Sequence, residues 1–180
     1  MIVLNGASSS GKSTLARQLQ AVLPDPWLTF GVDTLIEGMP AALLEGEGEG
    51  GISVEGDGEV AVGEVFRELE DAWIQGIAAM VRAGARVIVD EVFLGGGASQ
   101  QRWLAALDGV RVCWVAVRCD AEVAAGRETA RGDRAPGMAA SQAGLVHQGV
   151  RYDLELDTTH ADPAECALTV RRYLSSTGSS

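Results

Sequence analysis

Lys12 is the one lysine among the 14 basic residues of this 180-residue chain, and it stands inside Gly6-Ala7-Ser8-Ser9-Ser10-Gly11-Lys12-Ser13. That spacing, G-x-x-x-x-G-K-[ST], belongs to a loop that cradles phosphates, and no other feature constrains the fold as much. Every other basic residue is arginine. A guanidinium is a broad planar fork, whereas an ammonium is a compact point charge that enters a tight turn and touches bridging phosphate oxygens. Gly6 and Gly11 admit backbone conformations and approaches that a Cβ would block. The amides from Ala7 through Ser8, Ser9 and Ser10 to Thr14 form an anion nest that continues into a helix N-terminus. Ser13 offers its hydroxyl to Mg²⁺.

Context supports the motif. Met1-Ile2-Val3-Leu4 reads as a short buried strand before the loop. Leu15, Leu19, Val22 and Leu23 after it fall on one helical face. A strand, a glycine loop and a helix in that order predict a nucleoside triphosphate site, with ATP and Mg²⁺ as the expected cofactors.

The remaining chain alternates short apolar strands with amphipathic stretches, the pattern of an α/β domain with a parallel sheet. Strands are expected at 27–30, 86–90, 110–117 and 152–156, and helices at 34–44, 63–83, 100–107, 121–134, 138–148 and 163–174. In the 63–83 helix, Phe66, Leu69, Trp73, Ile77 and Met80 recur at helical spacing. Residues 45–62 form an acidic insertion with a small hairpin around Gly56-Asp57-Gly58, and 175–180 a loose tail. One domain spanning 1–180 is expected, with no internal repeat.

Net charge −11 argues against nucleic acid or an anionic membrane as a partner. Six of the 25 acids lie between residues 45 and 59, so the charge is uneven and leaves room for a positive phosphate site. No apolar run approaches the ~18 residues of a membrane span. A strand beginning at residue 1 leaves no space for a signal peptide, and a reducing cytoplasm is expected. Cys113, Cys119 and Cys166 lack metal-ligand spacing and read as structural, and His147 and His160, without partner spacing, as structural or surface residues. The oligomeric state is not written in the sequence.

In open α/β sheets the ligand lies beyond the carboxyl ends of the strands. Asp90 and Glu91 end one expected strand; Asp90 is placed to reach Mg²⁺, directly or through water, or else to solvate the strand end. Asp33 follows Phe30-Gly31-Val32, where it is either an N-cap for a helix starting at Thr34 or a general base. Arg127, Arg131 and Arg134, spaced by four and three, share a helix face. They form either a phosphate clamp on a lid (about 121–138) or a solvated charged face. Trp27, close in sequence to Asp33, is a candidate wall of the substrate pocket, with Val32, Glu91 and Phe93.

The segments around Gly6–Ser13, Trp27–Glu37, Asp90–Gly96 and Gly126–Arg134 together resemble chloramphenicol phosphotransferase of antibiotic-producing actinomycetes, from Met1 to about Arg172. The resemblance implies a P-loop kinase fold; together with the strand and helix pattern this is a five-stranded parallel sheet with helices on both faces and a small lid, to which the residues add the small acidic hairpin insertion. It implies transfer of the γ-phosphate of ATP to a hydroxyl of chloramphenicol, or of another hydroxylated antibiotic or small metabolite acting as the small-molecule acceptor. It gives Asp33 the part of general base, Lys12 and Ser13 the phosphate and magnesium contacts, and Arg131 and Arg134 the lid arginines. The Glu/Gly run and Glu91, where an aspartate is expected, depart from the family pattern. A rival reading of the same motif is a nucleotide switch that hydrolyses slowly and signals by shape.

Overall fold

β1 (Ile2–Asn5) is buried at all four residues. It runs up the middle of a five-stranded parallel sheet ordered β2-β5-β1-β6-β7. The other strands are β2 (Leu28–Gly31), β5 (Val87–Glu91), β6 (Cys113–Arg118) and β7 (Leu154–Asp157). The computed structural model describes residues 1–44, 50–54, 58–131 (only the backbone of Arg131) and 137–177. Side chains alternate across a strand, so an all-apolar strand must be covered on both faces. Ile2 and Leu4 pack with Leu15 and Leu19 of α1 (Lys12–Val22) and with Ala167 and Val170 of α7 (Pro163–Thr177). Val3 points the other way, into a cluster with Ile74 and Ile77 of α3 (Glu64–Arg82) and Trp103 of α4 (Gly97–Ala106).

Local chemistry sets the helix ends. Gly84, at φ +99°, closes α3: its amide donates to Val81 and the Ala85 amide to Met80, the paired bonds of a Schellman cap. Asp120 accepts from the amides of Glu122 and Val123 and so starts α5 (Ala121–Arg131). Asp162 starts α7 in the same way, with Pro163 in its first turn.

Several boundaries differ from the sequence expectation. The stretch expected as a helix over 34–44 is α2 (Val32–Glu37) plus one 3₁₀ turn (Ala41–Leu43), because Pro40 between them cannot donate to a continuing helix. The 138–148 stretch is helical only as α6 (Met138–Ala143). Residues 175–177 belong to α7 and are not a loose tail. Leu69 is 38% exposed, and the buried stripe of α3 runs instead through Phe66, Ile74, Ile77 and Ala78. The expected hairpin is present as β3 (Ile52–Val54) and antiparallel β4 (Val60–Val62), in a two-stranded sheet of its own. The rest of the acidic insertion, 45–49 and 55–57, lies outside the described residues.

Candidate active site

The chain leaves β1 at Asn5, forms the phosphate-loop segment and enters α1 at Lys12. The two motif glycines have different physical reasons. A Cβ on Gly6 would run into the carbonyl of Val117 on β6, so the loop needs a bare backbone to lie against the sheet. A Cβ on Gly11 would meet only ordinary contacts, 3.9 Å from Arg127 and Thr158, but the residue sits at φ +93°, which L side chains rarely adopt. Ser9 adopts φ 57° without being glycine, a strained conformation of the kind that gathers at ligand sites.

Long-range bonds hold the loop from three sides. Gln142 of α6 accepts the Ser8 amide at 2.7 Å. Thr158, just past β7, donates its hydroxyl to the Ser10 carbonyl at 2.6 Å. Asn5, where the loop begins, accepts the Phe93 amide and donates to both the Val146 carbonyl and the Tyr152 hydroxyl. The Tyr152 hydroxyl in turn lies 2.7 Å from His147 Nδ1, so a chain of hydrogen bonds runs from the start of the loop to His147. Burial, with Arg118 nearby, brings the His147 pKa down to about 4.

β1 and β5 pair in parallel with Leu4 opposite Asp90. That register sets Asp90 against the start of α1: Ser13 Oγ donates to Asp90 Oδ2 at 2.6 Å, and Lys12 Nζ lies 3.8 Å from Asp90 Oδ1. The buried Lys12 ammonium also donates to the Ala7 carbonyl at 2.8 Å. A hydroxyl and a carboxylate oxygen thus converge beside an ammonium at a helix N-terminus. This donor set suits a small hard divalent cation that keeps most of its ligands as water and phosphate oxygen. Among the described residues, no group of three or more His, Cys, Asp or Glu side chains is arranged to cage a metal ion, so a metal here would be shared with a bound phosphate.

These residues open onto a cavity of about 670 Å³. Ser8, Ser9, Gly11, Lys12, Ser13 and Thr14 line one part, and Val32 and Asp33 at the start of α2 line another. Asp33 is not an N-cap. α2 begins one residue before it, with Gly31 in the capping position and no side-chain cap bond, so Asp33 sits half-buried in the first turn. Apolar walls come from the hairpin (Ile52, Val60, Val62), Phe66 of α3, and Val92 and Leu94 beyond β5.

Four expected site residues are placed elsewhere. Phe93 is 1% exposed and belongs to the core under α3 and α4. Trp27 precedes β2 and packs on the opposite face of the sheet, against the α1 and α7 cluster. Glu91 is buried one residue beyond Asp90 and does not line the cavity; burial, then Glu70 and Asp90 nearby, push its pKa up to about 8. Arg127 donates to the Thr158 and Thr159 carbonyls and to Cys119 Sγ, tying the ends of β6 and β7 together beside Gly11 instead of facing the cavity. Arg134 and the side chain of Arg131 lie outside the described residues.

A family model described as chloramphenicol phosphotransferase-like protein matches residues 1–175. The chain belongs to that family. A protein of Mycobacterium tuberculosis (strain H37Rv), provisionally named an O-phosphotransferase, is 32% identical over 181 residues, covering 93% of this chain and 78% of its own length. The unliganded structure of a sugar kinase from Janibacter sp. HTCC2649 matches with a TM-score of 0.71 at 17% identity, covering 97% of this chain and 93% of its own. A shikimate kinase from Acinetobacter baumannii, solved with shikimate, matches at 0.62 and 14% identity, covering 99% and 94%. The two solved structures bear on the fold alone, which is that of the P-loop kinases. No helix among the described residues is long and apolar enough to cross a membrane.

Sequence reasoning missed several residues that build this family member's cavity. Arg67 and Glu70 of α3, Arg17 of α1 and Gln142 all line it. Glu128, one residue after Arg127, is buried and accepts the amides of Gly137 and Ala139, anchoring the start of α6.

Two outcomes follow from this geometry. His147 is held neutral with a pKa below the unfolded value, so folding releases its proton and stability falls as pH drops from about 6.5 towards about 4. Denaturant melts across that window should show the fall, and His147→Gln should flatten it; an unchanged slope would remove His147 from the balance. Lys12→Arg puts a fork where a buried point charge fits, and phosphoryl transfer should drop by roughly 10²-fold or more in steady-state assays. Turnover near that of the parent would contradict a phosphate-contacting lysine.

Proposed function

We propose that this chain transfers the γ-phosphate of ATP to a hydroxyl of a small molecule, with chloramphenicol as the acceptor. One observation carries the reading: the phosphate-loop residues Lys12 and Ser13 and the side chain of Asp33 line the same cavity, whose other walls combine apolar side chains with charged ones such as Arg17, Arg67 and Glu70. A slow hydrolytic switch needs no walled pocket next to its phosphate loop, whereas transfer to an acceptor does. The family's description and the relative's name point the same way.

In this account the loop amides and the Lys12 ammonium take the phosphates, and Arg127 flanks the nucleotide side next to Gly11. Ser13 and Asp90 would hold Mg²⁺, which would offset the negative charge that shifts during transfer. Asp33 orients the acceptor hydroxyl in line with the γ-phosphorus and accepts its proton. As the new O–P bond forms, the bond from γ-phosphorus to the bridging oxygen breaks and ADP departs with that electron pair. Arg131 and Arg134 would add positive charge over the transferring group.

Asp33→Asn tests the base directly. Asparagine keeps the shape and loses the charge and basicity. The variant should melt like the parent, bind ATP normally and lose roughly 10²–10⁴-fold in kcat, the usual contribution of a general base. Mass spectrometry of a panel of hydroxylated antibiotics incubated with ATP should show one added phosphate on chloramphenicol in the parent. Full activity in Asp33→Asn would sink the assigned base, and phosphate on a different panel member would move the acceptor.

A further inference from the structure

We propose that Arg67 and Glu70 form a polar anchor for the acceptor, and that the acceptor is therefore an uncharged alcohol carrying a second group that both donates and accepts a hydrogen bond. The proposal rests on the phosphotransferase reading above and adds the chemistry of the molecule that enters.

Both residues line the cavity, one α3 turn apart, beside Phe66 and the hairpin residues Val60 and Val62. With Arg67 35% and Glu70 13% exposed, the ion pair is only partly withdrawn from water and keeps a face toward the cavity. Glu70 Oε2 accepts from Arg67 Nη1 at 2.8 Å and from Arg102 Nη2 of α4 at 2.7 Å. Arg102 also lies 3.8 Å from Asp71. The Glu70 side chain, 13% exposed, is thus clamped between two guanidiniums, and it in turn holds one edge of Arg67. Among the described residues, the rest of the Arg67 fork and Glu70 Oε1 make no hydrogen bond. The result is a rigid donor set beside a rigid acceptor atom, paid for by Arg102 from outside the cavity.

Charge narrows the partner. Arg67 and Arg102 balance Glu70 and Asp71, so the cluster offers no net positive field. Asp33 and Glu37 line the same cavity. A carboxylate on the acceptor would meet Arg67 but would also face these acids, and like charges brought together in a partly desolvated site are disfavoured. A cation would face Arg67 and Arg17. A hydroxyl or amide satisfies donor and acceptor together, with apolar surface left for the aliphatic and aromatic walls.

The test is acceptor kinetics with chloramphenicol and with a matched alcohol that carries a carboxylate in place of its amide. The parent should favour the uncharged acceptor in kcat/KM by roughly tenfold or more. Arg67→Gln should raise the acceptor KM by roughly tenfold, the scale of a lost hydrogen bond to a charged group, and leave the ATP KM within about twofold. Glu70→Gln should narrow the discrimination against the carboxylate. Arg67→Lys keeps the charge without the fork and should give an intermediate KM, which guards against misfolding as the cause. A parent that prefers the carboxylate, or variants whose acceptor KM stays at the parent value, would overturn the anchor alone. A parent that phosphorylates no acceptor in the panel would overturn the transferase reading and the anchor with it.

Discussion

The site depends on the bond between Ser13 Oγ and Asp90 Oδ2, because it joins two segments that the sheet topology alone brings together. Their residues are 77 apart in sequence. They meet because β5 inserts between β2 and β1, with Leu4 opposite Asp90. After β1 the chain crosses to β2, and the strand on the other side of β1 is β6. The phosphate loop therefore leaves the sheet where successive connections diverge, the crevice in which open α/β sheets bind ligands. A slip of one residue in that pairing would turn Asp90 to the other face and leave Ser13 and Lys12 without their carboxylate.

Around this point the structure spends long-range bonds on rigidity. Gln142 and Thr158 reach different parts of the loop from other elements, and Asn5 ties the loop's start to Phe93 beyond β5. A loop that must receive phosphates with its backbone amides gains from being held before they arrive, since ordering it on binding would cost entropy. Glu128 does similar work further on, pinning the first amides of α6 and with them the position of Gln142. A preorganised electrostatic site is what phosphoryl transfer asks of a protein that does little covalent chemistry itself.

What was legible in the sequence was local. The strand, loop and helix around Lys12 announce themselves by spacing, and the Schellman cap at Gly84 and the hairpin at 52–62 follow from short-range rules. Arg67 and Glu70 were not legible, since nothing in an amphipathic helix says which of its polar residues will face a cavity and not water. Trp27 and Phe93 misled for the opposite reason: both are near site residues in sequence, yet alternation along an extended chain sends neighbours to opposite faces. Phe93 entered the core and Trp27 went under α1. Arg127 kept its helical face, but the partners waiting there are the carbonyls at the end of β7, which no sequence spacing reveals.

The most direct test of the central claim, that this crevice couples a phosphate loop to an acceptor pocket, is the ratio of ADP formed to phosphorylated chloramphenicol formed in one reaction. It should be measured with and without the acceptor, in the presence of ATP and Mg²⁺. The account predicts about one ADP for each product molecule, as the transfer stoichiometry requires, and ADP formation near background when chloramphenicol is withheld. ADP released at the same rate with or without acceptor, and no phosphorylated product, would contradict it.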